Sequence, residues 1–226
     1  MTFAFRHAPW LVLWLLLALA HVLSPFAMAG EPLRTYDGKY SISTIRITVV
    51  YFVPRDRTPL PDWRERVQYF CRRVEQFHAR EFQGQSQLTT AIQEQPFVSD
   101  KDSAALRAGD ADYIFFQTLG EVQSRLGFTR GADETFPILL VLSDINWREL
   151  DDFWRLRQAD GQFEGQIIDD RHFPGAASGG ARSLYWPDRG VGWGLVSGDG
   201  WRVPYSGTDC VVYHEGVGHP IGLPHP

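Results

Sequence analysis

The stretch His214-Glu215-Gly216-Val217-Gly218-His219-Pro220-Ile221-Gly222-Leu223-Pro224-His225-Pro226 gathers three of the chain's seven histidines and a carboxylate into one short segment. Neutral imidazoles are good zinc ligands, and a catalytic zinc takes three protein ligands while a fourth position stays open to water. His214, His219 and His225 are the expected metal ligands, and Glu215, directly after the first of them, is the expected catalytic base. The bland alternative is a set of surface histidines in a Gly/Pro-rich tail. The glutamate beside the first histidine and the close grouping of all three weigh against it.

The spacing has a mechanical consequence. At about 100° per residue, a regular helix sets positions i and i+5 roughly 140° apart, so His214 and His219 could not share one metal. A single π-type turn accommodates the extra residue and returns both side chains to one face. Gly216 and Gly218 place little steric limit on such a backbone, and Pro220 has no N–H to offer the carbonyl of Gly216. A widened turn over residues 214–219 is therefore predicted. Gly222 is predicted to act as a hinge, taking a positive φ so that the chain swings back to deliver His225.

These residues resemble the zinc signature of the metzincin clan of metalloendopeptidases, H-E-x-x-H-x-x-G-x-x-H, here expanded by one residue to H-E-x-x-x-H-x-x-G-x-x-H. The resemblance implies a secreted zinc-dependent endopeptidase that hydrolyses peptide bonds through a metal-activated water, with Zn2+ as cofactor, Glu215 as general base and a protein or peptide as substrate. It also implies an α+β, zincin-like fold, in which a twisted mixed β-sheet packs on a backing helix and a zinc-binding helix. An antiparallel edge strand, placed near Trp193 to Ser197, would line the cleft and pair with the substrate backbone. The same Trp and Gly residues read equally well as a packed, turn-rich rim. The sequence stops one residue after His225 and its only methionines are Met1 and Met28. The family's C-terminal subdomain and methionine turn are accordingly expected to be absent from this chain. Tyr205 and Tyr213 are both candidates to assist at the oxyanion, and the spacing selects neither.

A different functional class competes with this one: a non-catalytic exported domain that binds metal or carbohydrate, its eight tryptophans serving as a sugar-stacking surface. Glu215 discriminates between them, because a metal store needs no carboxylate directly after its first ligand. Asp151-Asp152 and Asp169-Asp170 lack a recognisable calcium-loop spacing and read as solvated charge. His78 and His172 read as ordinary surface or helix-face histidines.

The N-terminus sets the compartment. Arg6 precedes an apolar run from Trp10 to Leu23, and Ala27-Met28-Ala29 supplies the small residues of a signal-peptidase site. Residues 1–29 are expected to be a signal peptide cleaved near Ala29, residues 30–226 a single catalytic domain, and the product secreted or periplasmic. The apolar run is shorter than the roughly 20 residues of a spanning helix, so no stable membrane anchor is expected. Formal charge is −5 over the whole chain. An acidic chain of this kind excludes the basic footprint of a nucleic-acid binder. Cys71 and Cys210 are the only cysteines. In an oxidising compartment a disulfide between them would tie the ligand-bearing helix to the helix carrying Cys71, and two buried thiols are the alternative.

Along the chain, residues 42–53 alternate with Ile45, Ile47, Val49, Tyr51 and Val53 on one face, which predicts a strand. Asp62 and Glu65 give a capping-box-like start to an amphipathic helix carrying Trp63, Val67, Phe70, Val74 and Phe77 and ending near Phe82. A weaker strand is predicted over 88–97, a helix over about 110–126 and a buried strand over Phe136–Leu142. A short helix follows from Ile145 to Leu156. Glycines and aromatics from Phe173 to Trp201 predict loops with one or two short strands. Thr208 or Asp209 then caps the ligand helix.

Overall fold

The structure is a computed structural model that describes residues 31–147, 150, 166–168, 171–173, 181–201 and 213–224. The signal segment 1–29, the paired aspartates, Tyr205, the helix cap at Thr208 or Asp209, Cys210 and His225 lie outside the described residues, as does most of the helix expected over 145–156. Contacts divide the chain into Met1–Glu31 and Pro32–Pro226, and the named elements lie in the second unit.

Strand β1 spans Thr44–Val53. Its first face, Ile45, Ile47, Val49, Tyr51 and Val53, packs with Val67, Phe70, Cys71 and Val74 of helix α1, Trp63–Phe82. Val50 and Phe52 belong to the core on the opposite side, so β1 is covered on both faces. The expected capping box at α1 does not form: Asp62 makes no side-chain cap bond, and its carboxylate pairs with Arg66 one turn on, at 2.8 Å. Gln83, at φ 50°, and Gly84, at φ 81°, then turn the chain out of the helix.

Instead of the one strand expected over 88–97 there are two, β2 at Gln87–Ile92 and β3 at Phe97–Val98. Between them stands Pro96, which has no N–H to give a ladder. Both pair in parallel with β1, β2 along Thr44–Val49 and β3 at Phe52–Val53. Helix α2, Ser103–Leu106, and helix α3, Ala111–Leu126, follow. Each starts on an aspartate that accepts from a backbone N–H at 2.8 Å, Asp102 from Ala105 and Asp110 from Tyr113. Gly127 closes α3 in the left-handed region.

Strand β4, Phe136–Ser143, is the buried run that the sequence announces, and it pairs in parallel with β1 from Ile45↔Phe136 to Phe52↔Ser143. A short hairpin, β5 at Gln166–Ile168 and β6 at Arg171–Phe173, stands as its own two-stranded sheet. His172 falls on β6, where side chains are not described. Strands β7, Ala181–Trp186, and β8, Val191–Val196, complete the main sheet, and a single helical turn, α4, covers Gly198–Trp201.

The main sheet runs in the order β2-β1-β4-β8-β7, with β3 beside β1. Its pairings are parallel except the last, between β8 and β7. The fold is thus α+β with a mostly parallel sheet and one antiparallel edge. The edge is β7, not the strand at Trp193–Ser197 that the sequence suggested. β8 lies between β4 and β7 and is buried along its whole length. Its alternation explains why: Trp193 and Leu195 enter the core under α3, with Phe115, Leu119 and Val141, while Gly192 and Gly194 face the other way and leave a flat seat. No helix among the described residues is long and apolar enough to cross a membrane.

Candidate metal centre

The seat on β8 is filled by the ligand turn. A Cβ at Gly192 would stand 2.4 Å from the Pro220 side chain, and one at Gly194 would stand 2.8 Å from the Glu215 carbonyl. Glycine in a strand interior marks such close backbone approach. Val217, fully buried, and Ile221, 2% exposed, anchor the turn in the core shared with α1. Burial of this kind contributes about 1.5–3 kcal/mol for each large aliphatic side chain.

The turn itself is widened as the spacing requires. His214–Gly218 is a π-helical turn, closed by the N–H of His219 donating to the carbonyl of His214. It brings the two imidazoles together, with ring centroids 4.2 Å apart and planes at 76°. A turn of 3-10 helix, His219–Ile221, follows with Pro220 near its start, and Gly222 ends it at φ 92°. The glycine hinge is therefore present, and two backbone bonds pin it: Gly222 N–H to His219 O at 2.8 Å and Leu223 N–H to Gly218 O at 3.1 Å.

That hinge also orients a candidate ligand, His219. It carries the carbonyl of Leu223 to 2.6 Å from Nδ1 of His219. Nδ1 must then bear the proton it donates, which leaves Nε2 as the atom that can bind a metal. Potential ligand atoms of His214, Glu215 and His219 all lie within 4.8 Å of one another. A pair of neutral imidazoles with an adjacent carboxylate suits a divalent ion such as zinc. The third expected ligand, His225, lies outside the described residues.

Glu215 is fully buried, whereas the His214 side chain is 37% exposed. Oε1 of Glu215 stands 3.8 Å from Nε2 of His214. Oε2 accepts a hydrogen bond at 2.7 Å from the hydroxyl of Ser183 on β7. Ser183 was not singled out by sequence reasoning, because a serine in an unrecognised strand carries no signal of its own.

On the far side, the turn is tethered to α1. The Tyr213 hydroxyl donates to Nδ1 of His78 at 2.9 Å, and Nε2 of His78 lies 2.8 Å from Oγ of Ser86, which in turn donates to the Ile42 carbonyl. His78 lies on a face of α1 and is fully buried there, which corrects its reading as a surface histidine. Burial pushes its pKa down to about 4. Its signal was available in the sequence, since it continues the buried stripe Val67, Phe70, Cys71, Val74 of α1. Tyr213, whose hydroxyl burial pushes above its ordinary range, commits that hydroxyl to His78 and so drops out as an oxyanion candidate. Cys71 is a buried thiol, free among the described residues, and Cys210 lies outside them.

Residues 34–41, closed by an antiparallel bridge between Arg34 and Ser41, bond to the end of the turn and to β7. Tyr36 N–H donates to Ile221 O at 3.3 Å, and the Tyr185 hydroxyl of β7 donates to Asp37 at 2.8 Å. Compared with known proteins, the chain matches no family model, no curated protein and no solved structure.

Proposed function

We propose that this chain is a metzincin-like, zinc-dependent endopeptidase domain, exported through a signal peptide at 1–29 and acting on protein or peptide substrates. The observation that carries the reading is the π turn, which puts His214 and His219 on one side with Glu215 against them. The antiparallel edge strand beside that turn, with α1 layered on the sheet behind it, supports a zincin-like arrangement. His214 and His219 would hold the ion through imidazole nitrogens, with His225 as third ligand.

Zinc, when bound, supplies a Lewis acid that polarises the scissile carbonyl and makes water a nucleophile near neutral pH. The protein's own groups do the rest. Glu215 takes the proton of the attacking water and hands it to the departing amine. The Leu223 carbonyl keeps His219 in the tautomer that leaves Nε2 for the ion. Among the described residues no strand pairs with the outer edge of β7, so an extended peptide can add there as a further strand.

The carbohydrate-binding alternative loses ground to burial. Trp147 and Trp201 are fully buried and Trp193 is 3% exposed, so these rings stack in the core and not against a sugar.

Elemental analysis of the exported protein after exhaustive dialysis tests the reading. About one zinc per chain is expected, lost in His214→Ala. Glu215→Gln should keep the zinc and cleave no peptide library. Absence of retained zinc in the wild type overturns the proposal, and turnover by Glu215→Gln removes Glu215 as the base.

A further inference from the structure

The carboxylate of Glu215 is held from the sheet as well as carried by its own turn. β7 pairs antiparallel with β8 so that Ser183 stands opposite Gly194. Directly opposed residues of an antiparallel pair project to the same face. Gly194 has no side chain on that face, and its place is taken by the backbone of the ligand turn, with the Glu215 carbonyl 2.8 Å from where a Cβ would be. Ser183 reaches across this bare position, and its hydroxyl donates to Oε2 of Glu215 at 2.7 Å. Oε1 is left on the side of His214, 3.8 Å from Nε2.

The last torsion of a glutamate is broad and roughly two-fold. Covalent geometry therefore does not decide which way the carboxylate plane lies, and a donor on one oxygen does. A base that must take its proton beside the ligand imidazoles needs that orientation set before substrate arrives.

We propose that Ser183 is a positioning residue for Glu215, pinning Oε2 to the edge strand so that Oε1 stays turned toward the ligand imidazoles. The inference rests on the reading of Glu215 as the base. It also links two parts of the site, because the strand that pins the base is the strand whose outer edge faces an incoming peptide. A substrate pairing with β7 docks on the element that aims the carboxylate.

The test compares wild type, Ser183→Ala and Ser183→Thr, each loaded with zinc, for metal content, for kcat and KM on a fluorogenic peptide, and for the 13C resonance of the Glu215 side-chain carboxyl. Glu215→Gln assigns that resonance by its loss. Ser183→Ala is expected to bind zinc like the wild type, to lose roughly 10- to 100-fold in kcat with KM unchanged, and to shift the carboxyl resonance. Ser183→Thr, which keeps the hydroxyl, should restore both. Wild-type kcat in Ser183→Ala overturns the proposal, as does loss of zinc in that variant, which would make Ser183 a structural support of the metal site. If the wild type binds zinc and cleaves nothing, the peptidase reading fails by itself. The carboxyl resonance then decides: unchanged in Ser183→Ala, it overturns the positioning role, and shifted and rescued by Thr, it upholds the pinning of Glu215 without the catalysis.

Discussion

Gly194 and Glu215 meet backbone to backbone: a single Cβ on the glycine would come within 2.8 Å of the glutamate's carbonyl oxygen. The ligand turn can lie on the sheet only because β8 offers no side chain there. Gly194→Ala is expected to lower stability by about 1–3 kcal/mol and to weaken zinc binding roughly tenfold or more. Gly192→Ala should do worse, since its Cβ would meet Pro220 at 2.4 Å. Thermal unfolding and zinc titration of the two variants check both statements, and a Gly194→Ala protein with wild-type affinity would show that the seat is not needed.

Gly222→Ala separates ligand placement from overall stability. At φ 92° an L side chain is strained by about 1 kcal/mol or more, and its Cβ would also approach the Tyr185 ring at 3.0 Å. The strained turn carries the Leu223 carbonyl that fixes His219. Zinc affinity should therefore fall by more than the drop in melting temperature implies, which paired calorimetric measurements would reveal.

Burial of His78 makes stability depend on pH in a defined direction. Its folded pKa, about 4, lies below the ordinary value of 6.5, so below pH 6.5 the unfolded chain takes up a proton that the folded chain refuses. The contribution is whole above pH 6.5, is lost as pH falls toward 4, and amounts to roughly 3 kcal/mol. Urea midpoints at pH 7.5 and 5, with EDTA present to remove any effect of metal, should fall more for wild type than for His78→Gln. Equal falls would exclude His78 as the titrating group.

Burial also pushes the Cys71 thiol up to about 12. Iodoacetamide at pH 8 should leave Cys71 unmodified in the folded protein and label it in urea, as read by peptide mapping. A peptide joining Cys71 to Cys210 under non-reducing conditions would contradict the free thiol.

Local constraints were the most legible part of the sequence. The widened turn and the hinge at Gly222 follow from glycine, proline and an extra residue within a few positions, and no distant contact is needed to impose them. β1 and α1 follow from strong apolar periodicity, and β4 from a continuous apolar run. β7 is the second of the one or two short strands expected between Phe173 and Trp201, and it was not placed because Ala181, Ser183 and Tyr185 on one face contrast little with Arg182, Leu184 and Trp186 on the other. β8 was placed at the edge by analogy with the metzincin clan, whereas its glycines mark a strand with the ligand turn's backbone pressed against it. Asp62 illustrates a different failure: the residue type suits a cap, but Arg66 competes for its carboxylate.

The register of the sheet also dictates how the chain must assemble. Ile45 of β1 pairs with Phe136 of β4, so β1 waits about ninety residues of synthesis for the neighbour that covers its second edge. Until then Thr44–Val53, a β-branched and aromatic run without proline, broken only by Arg46, is a naked template for its own copies. Long-range parallel pairing of this kind is slow to form. Refolding yield should therefore fall steeply with protein concentration, and a chaperone that masks this one decapeptide would spare the chain from self-association.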